Sequence, residues 1–184
     1  MAPGTRERAL QAAVELLGVE GVRALTHVRV DQRAGLPTGS TSNWFRTRRA
    51  LLVGVIDWIV ERELEELDPS LVPSDQGLDG FLDGLCGMVE LQIEPYAVRT
   101  RARYALFLEL AGDLEIGERL QHGHRQFQQW TERMLTTLGF PDPVVTSRAL
   151  MALLDGLLLH KLILDPDLDM RPAIERAVRA LAEV

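Results

Sequence analysis

Apolar residues recur every three or four positions along almost the whole chain, and no stretch alternates strictly with β-branched residues. That spacing is the helical period, so it confines the chain to packed helices and leaves no strand to build a sheet. Glycine and proline cut the pattern into pieces at Gly21, Gly35-Leu36-Pro37, Pro95, Gly112, Gly139-Phe140-Pro141 and Asp165-Pro166. The pieces predict helices from Thr5 to Gly21, Thr26 to Ala34, Thr38 to Phe45 and Thr47 to about Leu67, then near 76–94, 96–111, 113–139, 143–164 and 171–183. Thr5, Thr26 and Thr47 are placed to cap the first, second and fourth. The expectation is an all-α fold of about nine helices. Its one clear boundary is Asp68-Pro69-Ser70-Leu71-Val72-Pro73-Ser74-Asp75, with two prolines in eight residues.

A chain of 184 residues buries roughly two-thirds of its unfolded surface and needs no covalent staples. Its single cysteine, Cys86, cannot pair within the chain and argues for a reducing compartment. The first residues lack a signal-peptide profile, and the longest apolar runs, such as Ala149 to Leu154, are far shorter than a membrane span. A cytoplasmic protein without a membrane partner is expected.

Charge is distributed unevenly. Residues 1–50 hold eight arginines against four acids, while the remainder holds twelve basic and twenty-three acidic residues, giving a head of +4 and a body of −11. Nineteen of the twenty basic residues are arginine, whose planar fork suits phosphate. A basic end on an acidic body suits contact with a polyanion at one end only.

The head has a particular organisation. Two short helices joined by the Gly35-Leu36-Pro37 turn, with a helix before them, form a helix-turn-helix unit. The second short helix carries Thr38, Ser40, Thr41, Ser42 and Asn43, then Trp44 and Phe45. Small polar groups make a poor core helix but can meet base edges and phosphates in a groove. Gly39 would let the backbone approach a phosphate closely. A polar surface helix linking two others has the same composition.

The run from Leu25 to Leu52, LTHVRVDQRAGLPTGSTSNWFRTRRALL, resembles the DNA-binding signature of the tetracycline-repressor (TetR) family. In that family a Thr opens the second helix, Ala-Gly-apolar makes the turn, a Gly lies early in the recognition helix and Phe ends it. The resemblance is specific over about residues 5–60 and extends to the rest only as a plan of five further helices. Three departures stand out: Arg48 replaces the usual lysine, Ser42 and Asn43 occupy the place of a frequent aromatic, and Pro37 replaces the usual serine cap.

The resemblance implies a DNA-binding domain in residues 1–50, a linking helix over 47–67, and an effector-binding and dimerisation domain in 51–184. Arg29 and Arg48 would hold phosphates, supported by Thr26 and Arg46. Thr38, Gly39, Ser40, Thr41 and Asn43 would meet the groove, with Trp44 at its rim or in the core beside Phe45. The implied function is a transcription regulator, a repressor released from a palindromic operator by a small molecule.

Two features of the body bear on this. The helix from Val144 to Leu164 is apolar almost all round and must be buried on more than one side. Leu150, Leu154, Leu157 and Leu158, with Ile174, Val178 and Leu181 of the last helix, could form half of a symmetric four-helix seam in a homodimer, or an interior layer of a monomer. A second set, Leu85, Met88, Leu91, Tyr104, Phe107, Leu108, His122, Phe127, Trp130 and Met134, reads either as plain core or as the lining of an effector pocket. Arg99 and Arg103, one turn apart, read as surface charges or as a clamp for an acidic ligand.

No enzymatic motif is present: there is no phosphate-cradling glycine loop, nucleophile elbow or cysteine pair. His122 and His124 point about 200° apart on a helix and cannot share a metal. Asp165-x-Asp167-x-Asp169 has Met170 where a calcium loop needs glycine. No metal, cofactor or catalysis is expected. The competing function is a helical small-molecule-binding or scaffold protein whose helix-turn-helix no longer reads DNA.

Overall fold

The computed structural model describes residues 4–66, 77–109 and 113–183, and among them all regular structure is helical. In chain order the helices are α1 (Thr5–Glu20), α2 (His27–Ala34), α3 (Ser40–Trp44), α4 (Arg48–Glu65), α5 (Gly77–Ile93), α6 (Ala97–Glu109), α7 (Leu114–Thr137), α8 (Pro143–Leu159) and α9 (Arg171–Ala182). A 3-10 turn, Val22–Ala24, follows α1, and α8 ends in a π-helical turn, His160–Leu164. The turn expected at Asp68 to Asp75 and the break at Gly112 lie outside the described residues.

The ends follow local chemistry. Thr26 caps α2, its Oγ1 accepting from the Arg29 N–H at 3.3 Å, and Thr47 does the same for the Ala50 N–H at 3.0 Å. Thr5 does not cap α1: it is the first helical residue, behind Gly4, and its side chain makes no capping bond. Gly35 closes α2 in the left-handed region, where a Cβ would be strained. Asp142 caps α8 by accepting from the Val145 N–H, with Pro143 opening the helix.

Contacts group the chain into two compact units, one of residues 1–63 and 97–123, the other of residues 64–96 and 124–184. In the first, α1 packs on α2 and α6. Leu10, Leu16, Leu17, Leu25, Leu51, Ile56, Ile59 and Leu106 are its fully buried centre. Phe45 closes that core at the end of α3, and α4 carries a glycine, Gly54, where its ring lies: a Cβ there would stand 2.4 Å from Phe45 Cε1. Trp58 of α4 is tied to α1 by its Nε1–H, which donates to Glu7 at 2.8 Å.

In the second unit, α5, α8 and α9 pack on one another. Leu150, Leu154, Leu158, Ile174 and Val178, expected in a seam between two copies, are buried within this unit of a single chain. Its core needs them because α8 is apolar nearly all round, and one side of it is consumed intramolecularly. Leu157 and Leu181 stay partly exposed. Arg171 reaches Asp83 at 2.9 Å and Arg179 reaches Asp79 at 2.7 Å, pinning α9 to α5 at the surface.

Candidate functional site

Helix α3, the second of the helix-turn-helix pair, is only five residues long, too short to hold itself. Its own side chains supply no cap, since Pro37 cannot and Gly39 stands at the N-cap. The cap comes from Asp31 of α2, which is almost fully buried. Its carboxylate accepts from the Gly39 N–H at 2.7 Å, the Thr41 N–H at 2.8 Å and the Thr41 hydroxyl at 2.5 Å. Burial alone would raise the Asp31 pKa, but these bonds, with the positive influence of His27, outweigh it and hold the carboxyl below its ordinary value. Gly39 has φ +93°, a conformation that glycine adopts without strain.

This arrangement corrects two expectations. Thr41 does not face a groove: it is completely buried, and its hydroxyl is given to Asp31. The Gly39 N–H is already taken by an internal carboxylate, so it does not offer itself to a phosphate. Sequence reasoning missed Asp31. The available signal was α3's lack of a cap of its own, which obliges some other residue to supply one.

What α3 leaves outside is a short polar face. Thr38, Ser42 and Asn43 are exposed and Ser40 partly so, while Trp44 is 56% exposed although its neighbour Phe45 is buried. The Ser40 hydroxyl donates to Pro37 O and the Ser42 hydroxyl to Gly39 O, so each keeps an accepting oxygen for a partner. Val28, at the start of α2, is also exposed.

The arginines divide by what holds them. Arg29 donates to Glu20 at 2.5 Å, and Arg33 reaches the same carboxylate at 3.0 Å. The Arg29 hydrogen bond, opposed by desolvation and helped by the Arg33 charge, lowers the Glu20 pKa. Arg48 spends Nε and one terminal nitrogen on Leu25 O and Val22 O, bracing the 3-10 turn against α4. Its role is first that of a clamp, which its sequence position did not reveal. Arg49 pairs with Asp113. Arg46, by contrast, is exposed and makes no hydrogen bond or ion pair among the described residues, and the same holds for Arg23.

The residues expected to line a pocket fall into different units. Tyr104, Phe107, Leu108 and His122 belong to the first; Leu85, Met88, Leu91, Phe127, Trp130 and Met134 belong to the second. Tyr104 and Phe107 meet edge to face at 6.2 Å, whereas Leu108 is 81% exposed and His122 is also exposed. Arg99 and Arg103 are not surface charges: Arg99 is buried, and Arg103 is largely enclosed, pairing with Glu63 at 2.9 Å and standing over the Tyr104 ring. Within the second unit a cavity of about 10 Å³, room for about one water, opens between three helices. Phe81, Leu85 and Met88 of α5 form one wall, and Phe127, Trp130 and Thr131 of α7 the second. Leu150, Met151 and Leu154 of α8 complete it, so two of the leucines expected in a dimer seam face this cavity. Cys86 of α5 is buried, and burial pushes its thiol up, away from nucleophilic character.

A helix-turn-helix head on a helical body, with a capped polar helix presented outward, defines the class, and comparison with known families agrees. Residues 76–184 match the C-terminal domain of tetracyclin repressor-like proteins, and the chain belongs to that family. Solved structures share the fold across almost its whole length. A transcriptional regulator from Streptomyces coelicolor A3(2) is 24% identical, with 99% of this chain and 100% of that one covered, at a TM-score of 0.76. One from Rhodococcus sp. Rha1 is 16% identical over 98% and 97%, at 0.81. The multidrug binding protein EbrR, solved with ethidium, is 23% identical over 98% and 99%, at 0.70. No curated protein sequence matches the chain. No described helix is long and apolar enough to cross a membrane.

Proposed function

We propose that this protein is a sequence-specific, ligand-responsive transcription regulator, a cytoplasmic homodimer that represses by occupying a palindromic operator and leaves it when a small molecule binds. Residues 1–50 would read DNA, and residues 51–184 would bind effector and dimerise. The observation that carries the reading is the α3 surface: a polar face with an exposed indole, fixed to α2 by a buried carboxylate whose oxygens are spent on the recognition turn. Thr38, Ser40 and Asn43 are the base-reading candidates, Trp44 sits at the rim, and Thr26, Arg29 and Arg46 serve the backbone.

Dimerisation would use the face of α8 and α9 that the core leaves outside. Ala152, Ala173 and Ala180 are exposed; Leu153, Gly156, Leu157, Ala177 and Leu181 are partly exposed. They recur at helical spacing, and a Cβ at Gly156 would meet nothing within 4 Å, so close approach of a second copy is sterically open. EbrR's complex with ethidium supports a small-molecule effector in this fold, and the cavity of the second unit, once widened, would be the place for it here.

Selection of binding sites from random duplex DNA, followed by anisotropy titration on the selected site, tests the reading. With about eight phosphate contacts per dimer, log K should fall against log salt with a slope of roughly −7. One observation favours the competing scaffold reading: Arg29 and Arg33 are both engaged by the Glu20 carboxylate. That reading expects no selected sequence and an affinity flat with salt.

A further inference from the structure

The cavity of the second unit has a definite chemical character. Among the described residues, no carboxylate, ammonium, guanidinium or imidazole lines it. Of its two polar residues, Thr131 has already given its hydroxyl to Phe127 O at 3.1 Å, one turn back along α7. The other is Trp130, which is more than nine-tenths buried, and its Nε1–H has no acceptor among the described residues. A buried N–H left unsatisfied is unfavourable, and native proteins seldom leave one without a partner. The rest of the wall is apolar, built of phenylalanines, leucines and two methionines, Met88 and Met151. A space of about 10 Å³ holds one water, so an organic guest enters only if Met88 and Met151, whose side chains re-pack readily, move aside.

Resting on the reading that this cavity is the effector site, we propose that it takes an uncharged, predominantly apolar ligand bearing one hydrogen-bond acceptor, which receives the Trp130 Nε1–H. A cation would enter with no carboxylate to meet it, and an anion with no base, so either would forfeit its hydration. A purely hydrocarbon guest would fill the space but leave the indole N–H as it is. A carbonyl, ether or aromatic nitrogen on an apolar frame answers both needs.

Acetophenone and ethylbenzene form the probe pair, alike in shape and differing in the carbonyl. Titration calorimetry on the full chain compares their affinity ratio in the parent and in Trp130→Phe, so that their different hydrophobicities cancel. The ratio should fall about 5- to 10-fold in the variant. In the parent labelled with ¹⁵N at tryptophan, acetophenone should move the Trp130 Nε1–H proton downfield and ethylbenzene should not; this second measurement stands even if the variant fails to fold. An unchanged ratio, an unmoved indole proton, failure of both probes to bind at millimolar concentration, or tighter binding of trimethylphenylammonium than of acetophenone would each overturn the proposal. DNA affinity measured on the same preparation separates the two readings. A protein that binds DNA but neither probe overturns the ligand chemistry alone, whereas one that shows the expected probe behaviour but selects no DNA sequence overturns the regulator reading alone.

Discussion

Replacing Asp31 isolates the device that holds the recognition helix. Asp31→Ala removes the acceptor of three hydrogen bonds, at 2.7, 2.8 and 2.5 Å, and leaves the Gly39 and Thr41 N–H groups and a fully buried hydroxyl without partner. Loss of an ordinary N-cap costs about 1 kcal/mol, and each hydrogen bond to a charged group is worth about 1.5–3 kcal/mol, with strong overlap between bonds that share one carboxylate. A loss of about 3–5 kcal/mol follows for Ala. For Asn, which keeps one acceptor oxygen and the shape, the loss should be about 1–2 kcal/mol, at the level of a single such bond. Urea unfolding followed by circular dichroism measures both. The carboxyl's pKa is lowered in the folded state, so its contribution is complete above the unfolded value and disappears as pH falls through the folded one. The parent should therefore lose stability below about pH 4 by an increment that Asp31→Asn lacks. Because the cap orients α3 without touching DNA, Asp31→Asn should weaken the selected operator more than random duplex. An Asp31→Ala protein within about 0.5 kcal/mol of the parent, the scatter of neutral surface changes, would refute the argument.

Other substitutions probe other parts. Arg46→Ala should reduce affinity for all duplexes alike and flatten the salt slope by about 1 for each phosphate it no longer neutralises, while Arg48→Ala should lower melting temperature first, because its guanidinium clamps Val22 and Leu25; anisotropy and thermal melts distinguish them. Gly54→Ala pushes a methyl into the Phe45 ring and should cost about 1–3 kcal/mol. Gly87→Ala, in α5 with nothing within 4 Å of the new Cβ, should instead stabilise by about 0.8–1 kcal/mol in the same urea assay. Leu157→Glu with Leu181→Glu should give folded monomers by sedimentation, whereas Leu154→Glu should unfold the second unit, since Leu154 faces its cavity and core.

The helices themselves were legible because the forces that make them are local. The 3.6-residue period, Thr26 and Thr47 at caps, and Gly21 and Gly35 at ends all act within a turn or two, so the order of elements and the helix-turn-helix could be read off the chain. The polar face of α3 was legible too, apart from Thr41 and the Gly39 N–H, whereas the exposure of Trp44 was left open. What could not be read is which side of a helix its neighbours claim. Asp31 and Thr41, ten residues apart, meet only when α3 folds back on α2, and Arg48 finds Val22 and Leu25 only once α4 crosses the turn. Along α8 the leucines look alike in sequence; packing within the second unit buries Leu150, Leu154 and Leu158, the first two facing α5 and α7 across the cavity, and leaves Leu157 partly outside. Periodicity records that a residue is apolar, whereas the identity of the surface that covers it, and the acceptor that a buried N–H lacks, are decided by segments distant in the chain and exist only in the packed structure.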